Sequence, residues 1–154
     1  MKYSKVSAKL SLSICIFSCA ALIAMTITFP EFFRWLYFSY HDPAADTMLP
    51  GIYKTVVTAF YCCVPFAAAA LYMLIRLLIN IIHEKIFTRA NVQFFRFVSW
   101  CCYAVALITL IFGLRYPLLE IITFTMAVVG TLLRVVKNIM HAAVEISEEN
   151  ELTI

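Results

Sequence analysis

The sequence predicts an all-α, polytopic membrane protein with four transmembrane helices and almost no extramembrane mass. Hydrophobic residues make up 64% of the 154 residues, charged residues only 14%, and the mean hydropathy is +0.91. Soluble domains are about 45–50% apolar and about 25% charged, and a chain this short exposes too much surface to hide the excess. The composition therefore excludes a soluble enzyme, a nucleic-acid-binding module and a disordered tail.

Four apolar stretches are long enough to cross a membrane, because a helix needs about 20 apolar residues to span a core about 30 Å thick. None of them alternates between polar and apolar residues as a strand does, and an open sheet cannot span lipid. The pattern predicts a single domain, 1–154, built from four spans. The spans are residues 10–29, 56–79, 97–114 and 118–136.

The positions of the lysines and arginines predict that both termini lie in the cytoplasm, since short cytoplasmic loops are enriched in these residues. Nine of the twelve flank the N-terminus, the loop between the second and third spans, or the C-terminal side. Only Arg34, Lys54 and Arg115 lie on the opposite face. A cleaved signal peptide is the alternative for the first span, but its apolar stretch is longer than a typical signal core.

The segment after the first span is dense in aromatic side chains, which collect where lipid meets water. Residues 28–31 read Thr-Phe-Pro-Glu, a capping box with an early proline that is typical of a helix start. We therefore expect a short helix on the outer surface. It would form an aromatic interfacial belt or, alternatively, a lid over a hydrophobic ligand or a surface for a partner. The belt residues are Phe32, Phe33, Trp35 and Tyr37.

Two segments are candidates for docking a cytosolic partner. The loop between the second and third spans mixes apolar and basic residues, as segments in the lipid headgroup region do. The tail, 137–154, continues the fourth helix at helical apolar spacing and is expected to extend into the cytoplasm. Its acidic end opposes the helix dipole, so these acids either solvate the end or await a basic partner. The candidate docking residues are Lys85, Arg89, Asn91, Arg96, Glu145, Glu148, Glu149, Glu151, Leu152 and Ile154.

Few polar groups lie inside the spans. Glu120, near the outer end of the fourth span, forms a candidate intramembrane polar site with Arg115 or Arg34. All six cysteines lie within spans and form no C-x-x-C pattern, so we expect them to act as small hydrophobes. Pro65 is expected to bend the second helix. Neither catalytic residues, nor a metal site, nor a cofactor is predicted.

Two stretches carry a family resemblance. The loop reads Phe87-Thr88-Arg89-Ala90-Asn91, and the chain ends Glu148-Glu149-Asn150-Glu151-Leu152-Thr153-Ile154. With the four spans, these stretches resemble the bacterial membrane family called domain of unknown function 2975, over nearly the whole chain. Its members share a Phe-Thr-x-x-Asn loop pattern and a similar ending, in which aspartate is more common than Glu151.

This resemblance implies a partner rather than a chemistry, because genes of the family often lie beside one for a small Xre-type helix-turn-helix regulator. We therefore expect a non-enzymatic, multi-pass protein of the bacterial inner membrane that sequesters such a transcription factor and binds no nucleic acid itself. Two alternatives remain, a small oligomeric transporter or channel subunit, and an envelope-stress or immunity protein that binds a peptide at its outer face. Homo-oligomerisation is left open.

Overall fold

The computed structural model describes residues 2–40, 49–83, 88–114 and 117–151. Across these residues the chain is entirely helical apart from short turns, and it forms no strand. Each of the four helices contains a stretch long and apolar enough to cross a membrane, which confirms the predicted fold class. The helices are α1 (Lys2–Tyr40), α2 (Leu49–Ile82), α3 (Arg89–Gly113) and α4 (Leu118–Glu151).

Each helix packs against the next one in the sequence, and the contact between α3 and α4 is the most extensive. The two helices are antiparallel. The Ser99 hydroxyl donates to the Gly130 carbonyl over 2.9 Å near one end, and the hydroxyls of Thr109 and Thr123 meet at 2.8 Å towards the other. We call the end where α2 leads to α3 the α2–α3 end, and the opposite one the α3–α4 end.

The first helix runs without a break through Pro30. The aromatic segment is therefore helical, but it continues α1 and is not the separate surface helix that the sequence predicted. Proline has no N–H, so it leaves the Thr26 carbonyl without its usual helical donor. The Tyr61 hydroxyl of α2 donates to that carbonyl over 2.9 Å. Thr28 does not cap a helix, because its hydroxyl bonds to the Ala24 carbonyl instead.

Hydroxyl side chains along the spans bond to the carbonyl four residues earlier in the same helix. Ser18 reaches the Ile14 carbonyl over 2.9 Å, and Thr125 reaches the Ile121 carbonyl over 2.8 Å. Polar groups satisfied within a helix can face hydrocarbon at little cost. The apolar surface of α1 is also available to lipid, since no residue of its most apolar stretch is buried.

Candidate partner-docking site

A bidentate ion pair joins the start of α3 to the end of α4. Arg89 donates through Nε to Glu148 Oε1 over 3.0 Å and through Nη2 to Oε2 over 2.7 Å. Both residues lie well beyond the apolar runs of their helices. Hydrogen bonding to the guanidinium, together with its charge, lowers the pKa of the Glu148 carboxyl below that of an ordinary glutamate. The pair therefore links the last turn of α4 to the start of α3.

A groove of about 270 Å³ lies between α3 and α4 beside this ion pair. Its apolar floor is nearly buried, with Val92 8% and Val144 3% exposed. Its rim is polar, and Glu145 Oε1 lies 3.4 Å from His141 Nδ1. We call this feature the Arg89–Glu148 groove. Its lining residues are Arg89, Val92, Gln93, His141, Val144, Glu145 and Glu148.

The structure brings three of the candidate docking residues together, since Arg89, Glu145 and Glu148 all line this groove. Glu149 is exposed on the last turns of α4, next to them in sequence. Arg96 lies about two turns further along α3 and lines other cavities. Glu151 is the last residue of α4, and the structure describes its backbone but not its side chain. Lys85, Leu152 and Ile154 lie outside the described residues altogether.

Asn91 does not belong to the docking surface, because none of its surface is exposed. Its Oδ1 accepts a hydrogen bond of 2.9 Å from Asn80 Nδ2 of α2. The amide pair therefore fixes the α2–α3 hairpin, and a partner could reach Asn91 only if the two helices separated. Sequence reasoning grouped it with the basic residues of the loop, because the contact with α2 has no local signature.

The aromatic residues of α1 meet those of α2 at the α3–α4 end. Phe29 stacks on Phe60 with ring centroids 3.9 Å apart, and Phe33 approaches Tyr53 at 6.2 Å. These rings border an apolar cavity of about 380 Å³ that all four helices line. Sequence reasoning did not identify Phe60 as its partner, because that contact depends on how the helices pack.

The belt residues fall on different sides of α1. Phe32 and Trp35 are exposed, as an interfacial belt requires, while Phe33 is only half-exposed and lines the apolar cavity together with Phe32. Nothing is described of the Tyr37 side chain. The belt and the cavity wall are therefore built by the same turns of one helix.

The candidate polar site at Glu120 does not assemble among the described residues. Glu120 is exposed in the first turn of α4, where a carboxylate stabilises the positive end of the helix dipole. Arg34 pairs with Glu31 over 2.8 Å and not with Glu120. Arg115, the other expected partner, lies outside the described residues. This arrangement accounts for Glu120 as a helix-start acid.

A family model described as "Protein of unknown function (DUF2975)" matches residues 8–154. The match covers nearly all of the chain, including the loop and the C-terminal ending that carry the resemblance seen in the sequence. Neither a curated protein nor a solved structure matches the chain.

Proposed function

The chain belongs to the DUF2975 family of proteins of unknown function, and we propose that it is a non-enzymatic membrane protein that docks a cytosolic regulator. The regulator would be a small, basic helix-turn-helix protein of the Xre type, held at the α2–α3 end. Sequestration at the membrane would keep this regulator from its DNA. The gene neighbourhood that is typical of the family supports this choice of partner.

The proposal requires the α2–α3 end to face the cytoplasm of a bacterial inner membrane, with both termini on that side. The distribution of positive charge supports this orientation, because nine of the twelve lysines and arginines flank the segments at this end. Among the described ones, Arg76, Arg89 and Arg96 belong to α2 and α3, near their connection. A cytosolic partner would therefore meet the groove directly.

The observation that carries the proposal is the ion pair between Arg89 and Glu148. Acids at the end of a helix oppose its dipole, so the last turns of α4 are weakened by their own charges. Pairing with Arg89 offsets part of this effect on the turns that also carry Glu145 and Glu149. A DNA-binding protein carries a basic surface for phosphates, and this acidic surface would compete for it.

The groove beside the ion pair would add an apolar anchor point. Its volume of about 270 Å³ suits one or two side chains of a protein better than a whole substrate, and buried apolar anchors dominate protein interfaces. Val92 and Val144 would receive the anchor while the surrounding acids set the orientation. If α3 moved against α4 so that Arg89 separated from Glu148, both the groove and the acidic surface would change. The regulator would then be released.

The test is binding of the regulator encoded beside this gene to the full chain in nanodiscs. We expect saturable binding, at least tenfold weaker in the double variant Glu145→Gln/Glu149→Gln, and competition by the regulator's own DNA site. Glu120→Gln is the matched control, because it removes an exposed acid at the opposite end of the bundle. Unchanged binding by the double variant, or binding that DNA does not displace, would refute the proposal.

The apolar cavity at the α3–α4 end favours a second candidate, which is binding of a hydrophobic peptide at the outer face. Phe32 and Phe33 belong to the aromatic belt and also line the cavity, so a peptide lying on the membrane could insert a side chain there. Binding of such a peptide should be lost in Phe32→Ala/Phe33→Ala. It should persist in Phe97→Ala, which removes an exposed phenylalanine near the other end.

A further inference from the structure

A cluster of three cations lies between α3 and α4, one to two turns closer to the bundle centre than the Arg89–Glu148 groove. It borders a cavity of about 250 Å³, and none of the described residues that line this cavity is acidic. Arg89 and Arg34, by contrast, each pair with a glutamate. Like charges that converge without an acid favour an anion between them. The cavity is lined by Arg96, Ser99, Trp100, Arg134 and Lys137.

The depth of the cluster points to the headgroup layer of the membrane. Arg96 immediately precedes the apolar run 97–114, Lys137 immediately follows the run 118–136, and Arg134 lies one turn inside it. Hydrocarbon gives way to headgroups where such runs end. Basic pockets between membrane helices at this level are suited to acidic headgroups.

Trp100 provides the interfacial side chain of this cavity. The indole is 53% exposed, and the guanidinium carbon of Arg134 lies 5.5 Å from its ring centroid. This cation–π contact holds Arg134 towards the cavity. Ser99 forms part of the floor, since its hydroxyl is buried and donates to the Gly130 carbonyl.

Exposed apolar side chains of α3 follow the cations towards the middle of the bundle. A neighbouring cavity of about 440 Å³ is lined by Gln93, Arg96, Phe97 and Trp100. Beyond it, Leu107 and Ile111 are exposed on the face of α3 that carries Trp100. A free phosphate ion would use only the cations, whereas a lipid would use the cations and this apolar track together.

We propose that the cavity of Arg96, Arg134 and Lys137 binds the phosphate of an anionic phospholipid, whose acyl chains lie along α3. The three cations neutralise the headgroup, and the indole of Trp100 marks the boundary between headgroup and chains. The site is separate from the Arg89–Glu148 groove and does not depend on a protein partner. It would anchor α3 and α4 at a fixed depth.

Quenching of Trp100 by brominated lipids tests this site. The chain contains two tryptophans, so Trp35→Phe leaves Trp100 as the only reporter. In phosphatidylcholine vesicles, brominated phosphatidylglycerol should quench Trp100 at lower mole fraction than brominated phosphatidylcholine. Each basic residue near anionic lipid contributes about fivefold in affinity, so Arg134→Gln/Lys137→Gln should lose about 25-fold of this preference. Arg96→Gln, which keeps the Arg134–Trp100 contact, should lose about fivefold.

Arg76→Gln is the matched control, because it removes an exposed cation of α2 without touching the cavity. The preference should be unchanged in this variant, and circular dichroism should show equal helicity for all of them. Excess inorganic phosphate should not displace the brominated phosphatidylglycerol. The proposal would be overturned if the two lipids quenched equally or if the preference survived the double variant. An equal loss of preference in Arg76→Gln, or displacement of the lipid by phosphate, would overturn it too.

Discussion

The Tyr61 hydroxyl lies 2.9 Å from the carbonyl oxygen of Thr26, the acceptor that Pro30 leaves without a backbone donor. An unsatisfied carbonyl in hydrocarbon is costly, so a side chain of α2 completes the hydrogen bonding of α1. The stacked rings of Phe29 and Phe60, 3.9 Å apart, lie at the same level. The proline thus becomes a point of attachment between the two helices and does not end the first one.

Tyr61→Phe should destabilise the packing of α1 on α2 by about 1 kcal/mol, the usual size of an interhelical hydrogen bond in a membrane protein. The loss comes from the uncovered Thr26 carbonyl, because the ring itself remains.

Unfolding in mixed detergent, followed by circular dichroism, measures this loss of stability. In a Pro30→Ala background the backbone N–H returns, so the effect of Tyr61→Phe should shrink. Tyr72→Phe removes an exposed hydroxyl of the same helix and serves as control. An equal effect of Tyr61→Phe in both backgrounds would contradict this explanation.

Asn91→Leu should destabilise the α2–α3 hairpin by about 1–3 kcal/mol, since it leaves the half-buried amide of Asn80 without its acceptor. The same unfolding measurement applies. Asn138→Leu, an exposed asparagine of α4, should change stability by less than about 0.5 kcal/mol. If both variants lost the same stability, the buried amide pair would have no special role.

Gly130→Leu should force α3 and α4 apart. A Cβ at this position would lie 3.3 Å from Cys102 Cβ and 3.2 Å from the Tyr103 ring, so a full side chain overpacks the contact by about 1–3 kcal/mol. Gly51→Leu is the matched control, because a Cβ there meets no atom within 4 Å. Thermal unfolding in detergent compares the two, and a Gly130→Leu variant as stable as the control would rule out close packing at this glycine.

The Arg89–Glu148 contact should depend on pH. The pKa of Glu148 is lower in the folded protein than in an ordinary glutamate. The ion pair therefore stabilises the folded state fully above the ordinary glutamate pKa of 4.5. This stabilisation is lost as the pH falls through the lower folded-state pKa. Hydrogen exchange of the last turns of α4 should therefore be slower in the wild type than in Arg89→Gln near pH 7. The exchange rates of the two proteins should become equal well below pH 4.5. A difference that stayed constant over this range would exclude the carboxylate as its source.

The sequence predicted the helical class and the number of spans because lipid imposes a simple composition on each of them. It did not predict the course of α1 past Pro30, since local rules end or start a helix there. The compensating Tyr61 is 35 residues from Thr26, whose carbonyl it covers. The helices also extend beyond the apolar runs that mark the spans. The helical spacing of apolar residues in the tail predicted this extension for α4, but not the Arg89–Glu148 contact that its last turn makes.

The sequence predicted only some residues of the candidate site, because the site also depends on how the helices pack. Arg89, Glu145 and Glu148 were recognisable as charges near the ends of two helices, and the antiparallel packing of α3 and α4 brings them to one groove. The same register brings Arg96 to Lys137 and Arg134. Sequence reasoning missed this cluster because the offset between two helices cannot be read from either helix alone.

The proposed docking of a regulator requires the end of the bundle with the Arg89–Glu148 groove to face the cytoplasm. Cysteine labelling measures this orientation in a chain whose six native cysteines are replaced by alanine or serine. Lys54→Cys and Glu149→Cys each introduce one exposed thiol, at opposite ends of the bundle. With a membrane-impermeant maleimide, Lys54→Cys should be labelled in intact cells and Glu149→Cys only after lysis. Labelling of Glu149→Cys in intact cells would place the groove outside and contradict the docking of any cytosolic regulator.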